Sequence, residues 1–148
     1  MHDLEKIRQF LLSFPGWNGE LTVDYTDGRP GSCGLYFTGV EERSRQTDVQ
    51  GNALVCNRYH FVLRRIAVAT AGQAQGAQWL MDLQNWIQQQ SAAGNTPRLG
   101  CLPDREQMAS HDAKLLKADT SGCAVYQLRL WVEFCTYQEG WSEYGSDI

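Results

Sequence analysis

The residues able to do chemistry in this chain are few and far apart. Its three histidines are His2, His60 and His111, and its five cysteines are Cys33, Cys56, Cys101, Cys123 and Cys135. Cys56 and His60 stand at an even spacing, so an extended strand puts both on one face, and a thiol beside an imidazole is the beginning of a nucleophile–base pair. Such a thiol also needs a depressed pKa and a cleft that admits substrate. Cys101 and His111 would supply two metal ligands at loose spacing. No C-x-x-C or similar short pair stands with them, so no metal site is expected. The cysteine count is odd and no two cysteines lie close, which argues against a disulfide framework in a cytosolic chain. No G-x-S-x-G elbow, phosphate loop or G-x-G-x-x-G turn occurs. Glu41 and Glu42 are adjacent, so in extended backbone they point apart and cannot act as a carboxylate pair. Arg58, Arg64 and Arg65 are expected to partner nearby acids. No catalytic residue, cofactor site or metal site is assigned.

These groups must be positioned by one domain of ordinary size. A chain of 148 residues can bury about 68–70% of the surface its unfolded form exposes, so it needs no staple. The net charge of −4 argues against a general nucleic-acid binder. The opening Met1-His2-Asp3-Leu4-Glu5-Lys6 lacks the basic and apolar pattern of a signal peptide. No stretch approaches the roughly 18 apolar residues of a membrane helix. A cytoplasmic protein is expected, unless it leaves inside an assembled particle.

Leu4, Ile7, Leu11 and Phe14 recur at helical spacing, with Asp3 placed to cap and Pro15-Gly16 to terminate. Leu21–Tyr25 alternates as a half-buried strand, Asp27–Gly31 is a turn cluster, and Gly34–Val40 reads as a second strand. Glu41 to Asn52 is polar and reads as a solvated loop or as the tip of a protruding hairpin arm. Ala53 to Thr70 contains a long strand. There Tyr59, Phe61 and Leu63 hold one parity and Ile66 and Val68 the other, so either both faces are covered or a bulge lies near Arg64-Arg65. After Ala71-Gly72-Gln73, the stripe Trp79, Leu80, Leu83, Trp86 and Ile87 marks the clearest helix. Ser91 to Ser110 is a long connection. Ala113–Ala118, the turn Asp119-Thr120-Ser121-Gly122 and a strand from Cys123 to about Tyr137 form a closing hairpin. In that last strand Ala124, Tyr126, Leu128, Leu130, Val132 and Phe134 alternate with Gln127, Arg129, Trp131 and Glu133, which predicts one core face and one polar face. Residues 138–148 form an acidic tail that is expected to fray. The resulting expectation is a single α+β domain over residues 1–148. It has an antiparallel-rich sheet with two main helices packed on one face, in the order α-β-β-β-α-β-β.

With no assigned chemistry, the surface carries the reading. The chain has five Trp, six Tyr and five Phe. Trp131 falls on the polar face of the last strand, and Trp141 and Tyr144 lie in the tail. Aromatics among polar residues are what interfaces favour. The interface candidates are Arg43, Arg45, Gln127, Arg129, Trp131 and Glu133.

Three stretches carry a resemblance. They are Tyr59-His60-Phe61-Val62-Leu63-Arg64-Arg65-Ile66-Ala67-Val68, the helix Trp79–Ile87 followed by Pro97-Arg98-Leu99-Gly100, and Ala124–Phe134. Their order and texture, with a helix before and a hairpin after, resemble the tail terminator (tail-completion) and related minor capsid proteins of long-tailed bacteriophages and prophages. That resemblance implies a ring, typically of six subunits, that caps the tail tube and docks it to the head. It implies partners in the tail tube and head-completion proteins, and no cofactor, catalysis, membrane or sequence-specific nucleic acid. The protein would reside in the host cytoplasm during assembly and then in the virion. Two other readings stand beside it: a small cytosolic hydrolase or transferase using Cys56 and His60, and an adaptor that binds a protein through exposed aromatics.

Overall fold

The computed structural model describes residues 2–26, 28–68, 75–118 and 122–140. The expected turn residues Asp27, Ala71-Gly72-Gln73 and Asp119-Thr120-Ser121, the strand end at Thr70, and the tail aromatics Trp141 and Tyr144 lie outside the described residues. The elements in chain order are α1 (Asp3–Leu12), β1 (Leu21–Val23), β2 (Cys33–Thr47), β3 (Ala53–Val68), α2 (Gln75–Ala92), β4 (Gln107–Ala118) and β5 (Cys123–Gln138). A 3-10 turn at Pro103–Arg105 precedes β4. The fold is α+β, and the expected order is followed roughly.

The five strands form one sheet in the order β1-β2-β3-β5-β4. It is a mixed sheet rather than the antiparallel-rich one expected. β1 runs parallel to β2 through Leu21↔Cys33 to Val23↔Leu35. The parallel pairing is extended where the Asp24 N–H donates to the Leu35 carbonyl at 2.9 Å. β3 and β4 both pair antiparallel with β5, which lies between them. They therefore point the same way, and β3-α2-β4 is a split β-α-β unit.

Alternation in β5 sets which side is core. Leu128, Leu130, Val132 and Phe134 are buried. Leu128, Leu130 and Val132 join Phe61 and Leu63 of β3, Leu35 of β2, Ile7 and Leu11 of α1, and Leu80, Leu83 and Ile87 of α2 in one apolar cluster. Both helices thus cover the same face. Phe10 and Phe14 pack on Trp86 with ring centroids 5.1 and 5.5 Å apart, joining α1 to α2. A short helix gains its stability from such docking rather than from propensity. Asp3 is the first helical residue and not the cap; His2 takes the cap position without a side-chain bond. The Asp3 carboxylate instead accepts a hydrogen bond from the Tyr59 hydroxyl at 3.3 Å.

Two expectations about the strands need correction. No bulge occurs at Arg64-Arg65, because β3 pairs with β5 without interruption from Ala53↔Gln138 to Val68↔Cys123. The irregularities lie on β2, between Phe37 and Gly39 and between Glu42 and Ser44. The helix-side series Tyr59, Phe61, Leu63 simply continues to Arg65, which is buried. Likewise β4 begins at Gln107 rather than Ala113. A register shift between His111 and Lys114, with Asp112 at φ +58°, breaks its alternation.

Glu41 to Gly51 is exposed throughout and is not a loop. It forms the outer half of the β2–β3 hairpin, turned where the Asp48 carboxylate accepts the Gln50 and Asn52 N–H groups at 2.8 and 3.0 Å. Before β4, the chain is organised by Glu106, which is buried. Its carboxylate accepts the N–H groups of Arg98, Leu99 and Gly100 at 2.5, 2.8 and 3.1 Å.

Candidate functional site

The face of the sheet turned away from the helices is built by the even positions of β3 and the odd positions of β5. Their register sets Cys56 opposite Cys135, Arg58 opposite Glu133, His60 opposite Trp131, Val62 opposite Arg129 and Arg64 opposite Gln127. Four of the six interface candidates, Gln127, Arg129, Trp131 and Glu133, therefore share one face, as the alternation requires.

Arg58 is the centre of this face. Its guanidinium lies 3.7 Å from the centroid of the Trp131 ring, and it donates to Glu133 Oε1 from Nη2 at 2.8 Å and from Nε at 3.1 Å. Gln107 of β4 donates to Glu133 Oε2 at 3.2 Å. From β2, Arg43 Nε stands 3.7 Å from Glu133 Oε1 and Nη1 donates to Glu41 at 2.9 Å. Glu41 in turn holds His60 Nε2 at 3.0 Å. A connected polar chain thus crosses four strands from β4 to β2. The His60 and then the Arg43 hydrogen bonds hold the Glu41 carboxyl below its ordinary range.

The other candidates sit around this chain. Arg129 contacts Asp112 Oδ2 at 3.3 Å, and Lys114 reaches the same atom at 3.5 Å. Gln127 is buried and accepts from Arg64 Nε at 3.1 Å. Arg45 lies apart on the arm, donating to Glu42 at 2.8 Å and to Gln138 at 3.4 Å. Exposed ion pairs such as these contribute little individually. Arg58 and Glu133 differ, since each side chain is only 17% exposed and the guanidinium is clamped between a carboxylate and an aromatic face. Arg58 and His60 were not among the sequence-based interface candidates. Their even parity on β3 is visible in the sequence, but their place opposite Glu133 and Trp131 depends on the strand register.

The Cys56–His60 pair does not assemble. Cys56 is disulfide-bonded to Cys135, so its sulfur is not a free thiol, and His60 is engaged by Glu41. Even spacing did put both on one face, but four residues of strand separate them by about 13 Å. The disulfide also corrects the expectation that none forms. Cys135 turns its carbonyl away from β3 to accept the Cys101 N–H at 2.8 Å. Cys56 and Cys135 are therefore a non-hydrogen-bonded cross-strand pair, the closer kind, with Cα atoms 4.0 Å apart. Cys101 is exposed and unbonded. Among the described residues no group of three or more His, Cys, Asp and Glu could hold a metal ion, and Cys101 and His111 belong to no such cluster. No described helix is long and apolar enough to cross a membrane. Arg58 partners an acid as expected, whereas among the described residues Arg64 meets Gln127 and Arg65 meets Asn18 and Cys33 instead of an acid.

The sequence matches no protein-family model and no curated protein.

Proposed function

We propose that this chain is a virion structural subunit that closes into a ring, as a tail terminator or head–tail joining component, and meets its neighbours through the open sheet face. One observation carries the reading: the half-buried Arg58–Trp131–Glu133 cluster at the centre of a sheet face that no helix of the described residues covers. Arginine and tryptophan are the side chains that dominate binding energy when an interface seals them from water. A closed ring uses two different patches per subunit. The exposed β2–β3 arm supplies the second, reaching towards the face of the next copy. The phage-tail likeness of the strand and helix pattern gives this assembly its place in the particle, with the tail tube and head-completion proteins as partners and no cofactor. The adaptor reading uses the same face and differs only in partner.

Sedimentation of the purified protein tests this reading. A discrete ring-sized species is expected, and Trp131→Ala should weaken its association about 30-fold or more while leaving a folded monomer. Arg129→Ala, at the edge of the face, should have a smaller effect. A wild-type protein that stays monomeric at high concentration overturns the ring. Normal rings from Trp131→Ala overturn this placement of the interface.

A further inference from the structure

A separate feature lies at the other end of β3. Arg65 is 7% exposed, yet among the described residues none of its contacts is with a carboxylate. Nη1 donates to the Asn18 carbonyl at 3.1 Å and to Cys33 Sγ at 3.2 Å, and Nη2 donates to Asn18 Oδ1. Trp79 stacks on the guanidinium, 4.0 Å from its carbon to the ring centroid. A buried cation without a counter-charge is costly, and neutral partners offset only part of that cost. Cys33 does not supply the charge, because burial pushes its thiol up even though Arg65 pulls it down.

The hydrogen-bond count leaves one edge of the guanidinium open. Of its five N–H groups, three are used. Nε–H and the second Nη2–H, which lie side by side, meet no acceptor among the described residues. The Nε atom is also not sealed in: the sealed, unpartnered side-chain polar atoms of the described residues are Gln84 Oε1 and Thr96 Oγ1. Arg65 lines a cavity of ≈ 400 Å³ whose other walls include Pro30, Ile66, Val68 and Trp79. That volume is in the range of small-molecule sites. Two parallel N–H groups on one guanidinium edge match the two oxygens of a carboxylate. The rest of the lining is mixed, with Asn18 beside Pro30 and Trp79, and a single guanidinium fork matches a monoanionic carboxylate better than a phosphate dianion, which would need further charged donors.

We infer that the Arg65 cavity is a binding site for a carboxylate, received by the free Nε–Nη2 edge of Arg65 beside Pro30 and Trp79. The carboxylate belongs either to a free organic acid or to an acidic side chain of a peptide. The site is independent of the ring interface, since Arg65 faces the helix side of the sheet.

Titration with hexanoate, with N-acetylglutamate amide and with inorganic phosphate at matched ionic strength tests this inference. The readouts are the thermal midpoint and the Arg65 Nε–H resonance in a nitrogen-edited proton spectrum. Saturable movement of that resonance with hexanoate assigns a free acid, and movement with the glutamate amide alone assigns a peptide side chain. Arg65→Gln should weaken binding about tenfold or more. Should that variant not fold, Pro30→Trp adds bulk to the cavity lining from an exposed position and is expected to weaken binding without touching Arg65. No saturable shift with either carboxylate, an equal response to phosphate, or undiminished binding in Pro30→Trp overturns the inference.

Discussion

Replacing Cys56 and Cys135 together by alanine removes the disulfide that ties β3 to β5, and the cost follows from their separation of 79 positions. In the chain-entropy account, closing a loop of about 80 residues removes ~15 cal/mol/K from the unfolded chain, or ~4.5 kcal/mol at 25 °C. Residual structure in the unfolded chain reduces this to an expected 3–4 kcal/mol, roughly. With an unfolding entropy of about 2.1 cal/mol/K per residue over a chain of 148 residues, the melting temperature should fall by about 10 °C. The assay is thermal unfolding of wild type and double variant with and without a dithiol reductant. Wild type should fall to the level of the variant on reduction, and the variant should not respond. Protein purified without reductant and then denatured should titrate three thiols, those of Cys33, Cys101 and Cys123. Five thiols, or a wild-type melting temperature indifferent to reductant, would refute the reasoning, because the register argument would then have placed two sulfurs together without the bond mattering.

Glu106→Ala leaves the N–H groups of Arg98, Leu99 and Gly100 without their shared carboxylate; a loss of about 3 kcal/mol is expected in chemical denaturation, with faster amide exchange at Leu99. The Tyr59 hydroxyl is raised above its ordinary value of 10.0 by burial and then by the neighbouring Asp3 carboxylate. A group raised in the folded state stabilises below its unfolded pKa and loses that contribution as pH climbs through its folded one. Unfolding measured against pH should therefore show a decline above pH ~10 that Tyr59→Phe removes. Loss of ring assembly in Trp131→Ala and carboxylate binding at Arg65 complete the set, with the measurements given above.

What could be read from the residues was whatever repeats within one element. The stripes Ile7–Leu11–Phe14 and Leu80–Leu83–Ile87, and the alternation of β5, put the right side chains in the core because period alone decides it. The polar face followed from the same parity, so Trp131 and Glu133 were found there. Arg58 and His60 join them only through a pairing register that no local pattern encodes. The first half of β4 escaped because its irregular register and left-handed Asp112 erase alternation on an edge strand. The disulfide escaped because 79 positions separate cysteines that meet only once β5 is in place. Arg65 was hidden by its own type: an arginine on the core parity of β3 reads as a break in the pattern, and the structure keeps the pattern and buries the charge.

The placement of β5 also bears on how the protein is made. It follows the other strands in the chain but lies between β3 and β4 in the sheet. Until residue 123 leaves the ribosome, β3 and β4 can only flank a gap one strand wide, about 10 Å across. The pairs that fill it, from Val68↔Cys123 to Ala53↔Gln138, join residues 55 to 85 positions apart. Such distant pairing folds slowly. The nascent chain therefore carries the β2–β3 hairpin with an open inner edge from the completion of β3 at Val68 until β5 begins at Cys123. That edge is the kind on which chains aggregate or on which a holding chaperone acts. Completion of the sheet thus waits for its fifth strand in chain order, and the insertion of that strand brings the core, the disulfide and the open polar face into being together.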